Sequence, residues 1–180
     1  MKMLLINIIG FQVCWLGLVL KLPLAIPIAL AYAVWHLLMI ADASERRLTA
    51  LVVIAGILLD GSLTVLGVFQ FAPEPLWLPI WLCVLWLIFA TTLKHSLRWL
   101  WTRQRWLLPL GGLGAAASYL AGARLDAVEL PYPLWVTTLI LTLCWTAFWW
   151  ILWMGHDRHV ARQSTGVEAS DQNQDPRSSP

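Results

Sequence analysis

Apolar residues occur in six long runs along the chain, and short segments that carry most of the charged residues separate these runs. A helix needs about 20 mainly apolar residues to cross about 30 Å of hydrocarbon. The pattern predicts six transmembrane helices, over residues 3–20, 23–40, 49–71, 76–93, 106–123 and 132–154. The expected fold class is all-α: a polytopic membrane helical bundle formed by a single domain of residues 1–159.

The last segment, residues 160–180, differs from the rest because it is rich in Ser, Gln, Asp and Pro. A segment with few apolar groups buries too little surface to offset the entropy lost on ordering. We therefore expect residues 160–180 to form a disordered tail.

Composition supports the membrane class. The chain is 59% hydrophobic and 12% charged, whereas soluble domains are about 45–50% apolar and about 25% charged. The 13 tryptophans suit the two membrane interfaces. Three widely spaced cysteines inside apolar runs indicate neither a disulfide framework nor a zinc site.

The positive charges predict the orientation. Of the twelve Lys and Arg residues, all but Lys21 and Arg124 fall on the side of the predicted bundle that holds the N-terminus. Short cytoplasmic loops carry such an excess. The sequence therefore predicts that both termini are cytoplasmic.

The fifth run contains a stripe of small residues, Gly114, Ser118 and Gly122, spaced four apart. Small residues at this spacing let helix backbones approach closely within a membrane. The stripe predicts a helix-packing face, inside the bundle in preference to a homodimer, and the oligomeric state stays open.

Asp60 lies in the middle of the third run. A carboxylate at that depth costs at least about 2.5–3.5 kcal/mol, so such groups face a protein interior and commonly serve a function. Gly56 and Thr64 share its helical face, which we expect to point into the bundle.

The predicted topology places polar side chains from four spans in the inner half of the bilayer. Together they define a candidate polar pocket that opens to the cytoplasm. Its expected lining is Asn7, Gln12, His36, Asp60, Thr92, His95 and Ser96. Each also has a structural explanation, such as interhelical hydrogen bonding, headgroup contact, or pairing of Asp60 with His36 or Gln12.

Enzyme motifs are missing. The sequence has no H-E-x-x-H, no phosphate-binding loop and no nucleophile elbow. His36 and His95 as haem ligands are a disfavoured alternative, since two histidines alone specify little. No catalytic residue can be assigned, and we expect no cofactor and no metal.

Three strings resemble a known family: N-x3-FQ-x2-W from Asn7, LW-x2-FA-x-TL-x-HS from Leu85, and SY-x-AGA-x-L from Ser118. The family is a group of bacterial integral membrane proteins called domain of unknown function 2878, and the resemblance runs from about Asn7 to Trp153. Family members often have Asn before the His of the second string, where this chain has Lys94. The resemblance implies a bacterial inner-membrane location and no particular activity. Because members are often encoded near lipid-modifying enzymes, it also implies such enzymes as partners.

Three functions remain as hypotheses. The first is an accessory protein that binds a lipid or small molecule, with membrane lipids as partners and no nucleic acid. The second is a small proton-coupled transporter that uses Asp60. The third, less favoured, is a membrane-embedded enzyme with His36 or His95 as its base.

Overall fold

The computed structural model describes residues 2–71, 77–101 and 103–172. Within these ranges the chain forms seven helices and no strand: α1 Lys2–Val19, α2 Ala25–Met39, α3 Ala43–Val65, α4 Ile80–Ala90, α5 Arg98–Trp101, α6 Gln104–Arg124 and α7 Leu134–Gln172. The predicted all-α class is confirmed.

Three stretches of the described residues form helices that are long and apolar enough to cross a membrane: Ala43–Val65, Trp106–Arg124 and Leu134–Gly155. Three shorter apolar helices, Met3–Val19, Ala25–Met39 and Ile80–Ala90, coincide with the first, second and fourth predicted runs. The helices therefore indicate a membrane protein, and the total of six spans stays a prediction.

α3 begins and ends six residues earlier than the run 49–71 predicted for it. Asp42 caps the start, because its side chain accepts a hydrogen bond from the backbone N–H of Glu45. Gly67 ends the helix with a φ of 73°, a left-handed conformation that favours glycine. As a result, Asp60 lies near the end of α3 and not at its centre.

α4 is shorter than the predicted run 76–93, whose first residue, Leu76, lies outside the described ranges. After Ala90 the chain continues in turns, and the hydroxyls of Thr91 and Thr92 bond the carbonyls of Ile88 and Phe89 at 2.7 and 2.6 Å. These turns begin with three buried residues, Thr91, Thr92 and Leu93, whereas residues 94–97 are partly exposed. Non-helical backbone is tolerated at membrane depth only when protein surrounds it.

Contacts between helix ends show that the first four helices alternate in direction. α1 and α3 begin, and α2 and α4 end, at what we call the proximal end, where Ser96 bonds Asn7 and His36 bonds Glu45. At the opposite, distal end, Lys21 donates to the carbonyl of Asp126 at 3.2 Å. Gln70 and Glu129 pair their backbones there.

The core has two parts that share α4. One contains small and aliphatic residues of α1, α2 and α4, with Ala29, Ala33 and Ile88 fully buried. The other is aromatic and joins α3, α4, α6 and α7. In it, the rings of Trp86 and Trp145 stack with centroids 5.0 Å apart.

The helix contact predicted for Gly114, Ser118 and Gly122 is corrected by the structure. A Cβ on Gly114 would have nothing within 4 Å, and one on Gly122 would make only ordinary contact with Val128 at 3.8 Å. The close approach of α6 to α7 occurs at Gly111, where a Cβ would lie 2.3 Å from the Trp149 ring. α6 carries small residues on several faces, and α7 packs against a face other than the one that holds Gly114, Ser118 and Gly122.

α7 continues past the apolar run as far as Gln172. The first part of the predicted disordered tail is thus helical, since residues such as Ala161, Arg162 and Gln163 are good helix formers. The remainder, residues 173–180, lies outside the described ranges, and the domain division stays a prediction.

Candidate functional site

Two histidines and a glutamate meet at the proximal end. Glu45 Oε1 lies 2.8 Å from His36 Nε2 and 3.1 Å from His95 Nε2, and Glu45 Oε2 lies 3.3 Å from the latter. The two imidazole rings meet edge to face with centroids 4.8 Å apart. His36 and Glu45 are buried, while the side chain of His95 is 23% exposed. We call these three residues the His–Glu–His cluster.

Local structure explains why the three side chains meet. His36 occupies the last turn of α2, and a short connection leads to Asp42, which caps α3 and so places Glu45 in its first turn. His95 comes from the turns that follow α4. Lys94, beside it, donates to Asp42 Oδ1 at 3.2 Å and to Ser44 Oγ at 3.0 Å. Lys94 therefore fixes the start of α3 relative to His95.

Asp42 is the anchor of this arrangement and is itself exposed to solvent. The backbone N–H of Glu45, and then the Lys94 ammonium, hold the pKa of Asp42 below its ordinary value. The carboxylate therefore stays ionised at neutral pH, which keeps both the helix cap and the contact with Lys94.

A polar network centred on Asn7 adjoins the cluster. Asn7 Nδ2 donates to the Thr91 carbonyl at 3.2 Å and to Tyr32 Oη at 3.3 Å, and Ser96 Oγ donates to Asn7 Oδ1 at 2.7 Å. A void of about 10 Å³ lies among these groups, lined in part by His36 and His95. Such a void holds about one water. The polar residues thus form a packed cluster and not a roomy pocket.

Asp60 occupies a separate site. Its Oδ2 accepts hydrogen bonds from Trp86 Nε1 at 2.7 Å and from Tyr119 Oη at 2.5 Å, and its Oδ1 has no partner among the described residues. Asp60 lies fifteen positions after Glu45 on α3, which corresponds to about 22 Å. Asp60 therefore joins α3, α4 and α6 far from the histidines.

The structure brings together only part of the predicted polar set. Asn7, His36, His95 and Ser96 meet at the proximal end, where Thr92 is also buried, although its hydroxyl bonds the Phe89 carbonyl. Gln12 is exposed on the surface of α1. Neither Gln12 nor Asp60 contacts the cluster, and the pairings of Asp60 with His36 or Gln12 are not formed.

Sequence reasoning missed Glu45, which is the centre of the cluster. The segment Ala41–Arg47 falls between the predicted runs 23–40 and 49–71, and the hydropathy pattern therefore treats it as a connecting loop. A signal was present: Asp42 followed three residues later by Glu45 is the pattern of a capping box, which places the glutamate inside the first helical turn.

An apolar cavity of about 280 Å³ lies between α1, α4, α6 and α7. Aromatic and small residues line it, including Phe11 and Trp15 of α1, Trp86 of α4 and Trp145 of α7. The predicted packing stripe, Gly114, Ser118 and Gly122, forms part of its wall on α6. The stripe therefore creates space where a helix contact was expected.

Fold and site together define a class: an all-α protein whose described residues include three helices of membrane-crossing length and a largely buried His–Glu–His cluster. Within that class, residues 4–151 match the model of a family described as protein of unknown function, DUF2878. The chain belongs to this family, and the resemblance noted in the sequence strings is confirmed. No curated protein and no solved structure matches the chain.

Proposed function

We propose that this protein is a six-span protein of the bacterial inner membrane that binds the acyl chain of a membrane lipid in the apolar cavity. The observation that carries the proposal is the cavity itself. Its volume of about 280 Å³ is close to the lower limit of ligand sites, about 300 Å³.

The form and lining of the cavity suit a long apolar chain. On α6 its wall extends from Leu110 to Gly122, which corresponds to about 18 Å of helix. It reaches Leu100 towards the proximal end and Val128 towards the distal end. The cavity thus extends along the axis of α6, from the proximal towards the distal end. An acyl chain is the one ligand that a bilayer supplies in quantity along the axis of a membrane-crossing helix.

Polar groups at the cavity wall are few and mostly engaged. Trp86 Nε1 and Tyr119 Oη both donate to Asp60, so these side chains present their rings to the cavity. Trp145 Nε1 is buried and has no partner among the described residues. It supplies one donor for an oxygen acceptor on a bound lipid, such as an ester carbonyl.

The six-span topology is supported by the alternating helix directions and by charge. Among the described residues, the proximal end carries Arg46, Arg47, Lys94, Arg98 and Arg103, whereas the distal end carries Lys21 and Arg124. A cytoplasmic proximal end follows from this distribution.

Lipid binding is tested by filling the cavity. Gly114 borders the cavity, and nothing lies within 4 Å of the position of its Cβ, so Gly114→Leu adds a bulky side chain at the cavity wall. Gly155→Leu is the matched control, since it is also an uncrowded glycine but is outside the cavity lining. Native mass spectrometry in mild detergent, with extraction of bound lipid, should show about one lipid retained by the wild type and the control, and loss in Gly114→Leu. Equal lipid retention by all three proteins would refute the proposal.

A second candidate function is proton-coupled transport through Asp60, and the unpartnered, fully buried Oδ1 of this residue favours it. The experiment is uptake of candidate solutes into proteoliposomes under a pH gradient. Transport predicts uptake by the wild type and its loss in Asp60→Asn. Uptake that persists in Asp60→Asn would exclude Asp60 as the proton carrier.

A further inference from the structure

The His–Glu–His cluster has features that acyl-chain binding does not use. Its three residues are absent from the cavity lining. One ligating atom from each of His36, Glu45 and His95 lies within 4.8 Å of the other two. From this convergence we propose that the cluster binds one divalent transition-metal ion, of which Zn²⁺ is the representative.

The two distances from Glu45 to the histidines fit a shared metal. Zinc binds imidazole nitrogen and carboxylate oxygen at about 2.0–2.2 Å, so neighbouring ligand atoms are about 2.9 Å apart at right angles and about 3.3 Å apart at tetrahedral angles. Glu45 Oε1 lies 2.8 Å from one Nε2 and 3.1 Å from the other. The three ligand atoms together span up to 4.8 Å, which exceeds the tetrahedral edge of about 3.3 Å, so the two imidazoles must move closer together to hold the ion.

Charge supports the same conclusion. Glu45 is buried, and a buried carboxylate is costly unless a positive charge compensates it. Two neighbouring cations are engaged elsewhere: Arg46, next to Glu45 in sequence, bonds the Ala41 carbonyl, and Lys94, next to His95, bonds Asp42 and Ser44. The remaining sources of positive charge are a proton on His36 or His95, both of which contact Glu45, or a divalent ion held by two neutral imidazoles and Glu45.

The surroundings also provide a fourth ligand and a route of entry. The void of about 10 Å³ borders both histidines and has room for one water. The void borders two of the three proposed ligands, and zinc sites that bind a small molecule keep a fourth position open beside three protein ligands. His95 is partly exposed, so the ion enters from the proximal end.

The donor set indicates the chemical class of the ion. Two imidazole nitrogens and one carboxylate oxygen suit Zn²⁺, Fe²⁺, Co²⁺ or Ni²⁺, whereas Ca²⁺ and Mg²⁺ prefer oxygen ligands throughout. The carboxylate also occupies the space between the two Nε2 atoms, so a haem does not fit between these histidines.

The test is metal binding by the full chain in detergent. The protein is stripped with a chelator, incubated with Zn²⁺, passed through a desalting column and measured for zinc by mass spectrometry. We expect about one Zn²⁺ per chain, and at least a tenfold weaker affinity in Glu45→Gln and His95→Gln. The matched control is His156→Gln with His159→Gln, which changes the other two of the four histidines and should bind as the wild type does.

A second measurement separates loss of the ligand from loss of the fold. Co²⁺ replaces Zn²⁺ and reports its ligands through visible absorption. Because His95 is only partly buried, His95→Gln should elute and melt as the wild type does without metal, yet lack the wild-type Co²⁺ spectrum. Substoichiometric zinc in the wild type, or equal binding by folded His95→Gln, would show that the cluster is hydrogen-bonded only. Either result leaves the lipid proposal untouched, because that proposal is tested at Gly114.

Discussion

Asp60 shows at the scale of single residues how a buried carboxylate can serve structure. It accepts from Trp86 and Tyr119, so one side chain of α3 binds α4 and α6 together. Gly56, one turn earlier, makes this possible: a Cβ there would lie 2.2 Å from the Trp86 ring. The small and polar face of α3 therefore points into the bundle, where the large indole of α4 needs both space and an acceptor.

We predict opposite outcomes for two substitutions of Asp60. Asp60→Asn keeps an acceptor oxygen for Trp86 and Tyr119 and should fold, whereas Asp60→Leu leaves both donors without an acceptor. Hydrogen bonds between transmembrane helices contribute on average about 0.6 and at most about 1.7 kcal/mol each, so Asp60→Leu should lower the free energy of unfolding by about 1–3 kcal/mol. Denaturant unfolding in mixed micelles measures the difference.

The control for this pair is Ser62→Ala. The Ser62 hydroxyl bonds a carbonyl of its own helix, that of Leu58, on an exposed face. This variant should unfold as the wild type does. If Asp60→Leu were as stable as Asp60→Asn, the contacts with Trp86 and Tyr119 would contribute nothing to the packing of α4 and α6.

At the scale of elements, the decisive contacts depend on which face of a helix is covered. α6 carries glycine at positions 111, 112 and 114, yet only the first two lie against α7. A Cβ on Gly112 would lie 2.3 Å from the Thr146 hydroxyl, and one on Gly111 would enter the Trp149 ring. The hairpin of α6 and α7 is therefore held by close approach at these two glycines.

We predict that Gly111→Ala and Gly114→Ala change stability in opposite directions. Gly111→Ala should disrupt the contact with Trp149 and cost about 1–3 kcal/mol, the usual effect of overpacking. Gly114→Ala adds a methyl group in open space and should stabilise α6 by up to about 1 kcal/mol through helix propensity. Thermal melting of both variants in one detergent provides the comparison. A stabilised Gly111→Ala would contradict the observed packing of α6 on α7.

The whole molecule is organised by its two ends. The polar cluster and most of the described basic side chains lie at the proximal end, while the distal end is held by Lys21 and by the pairing of Gln70 with Glu129. Under the proposed topology the proximal end faces the cytoplasm. The metal site would then open to the cytoplasm, and the cavity would extend through the bilayer beside it.

Topology is testable at the two ends of a single helix. Arg103 and Arg124 flank α6, and both are exposed. In a variant without Cys14, Cys83 and Cys144, a membrane-impermeant maleimide applied to intact cells should label Arg124→Cys and miss Arg103→Cys. Permeabilised cells should label both. The reverse pattern in intact cells would invert the orientation.

Local pattern alone determined much of this protein. Length and hydropathy of the runs predicted an all-α fold, because any long apolar run satisfies its backbone as a helix. The strings around Asn7, Leu85 and Ser118 predicted the family, which the match over residues 4–151 confirms. These properties depend on neighbours in the chain, so they can be read without knowing which helices touch.

The tertiary structure decided which polar groups meet. His36 pairs with Glu45 and not with Asp60, because the cap at Asp42 and the turn at Gly67 shift α3 by six residues from the predicted run. Likewise, Gly114, Ser118 and Gly122 border a cavity because α7 covers a different face of α6. The register and rotation of a helix follow from caps and packing partners far apart in sequence, and hydropathy carries no information about either.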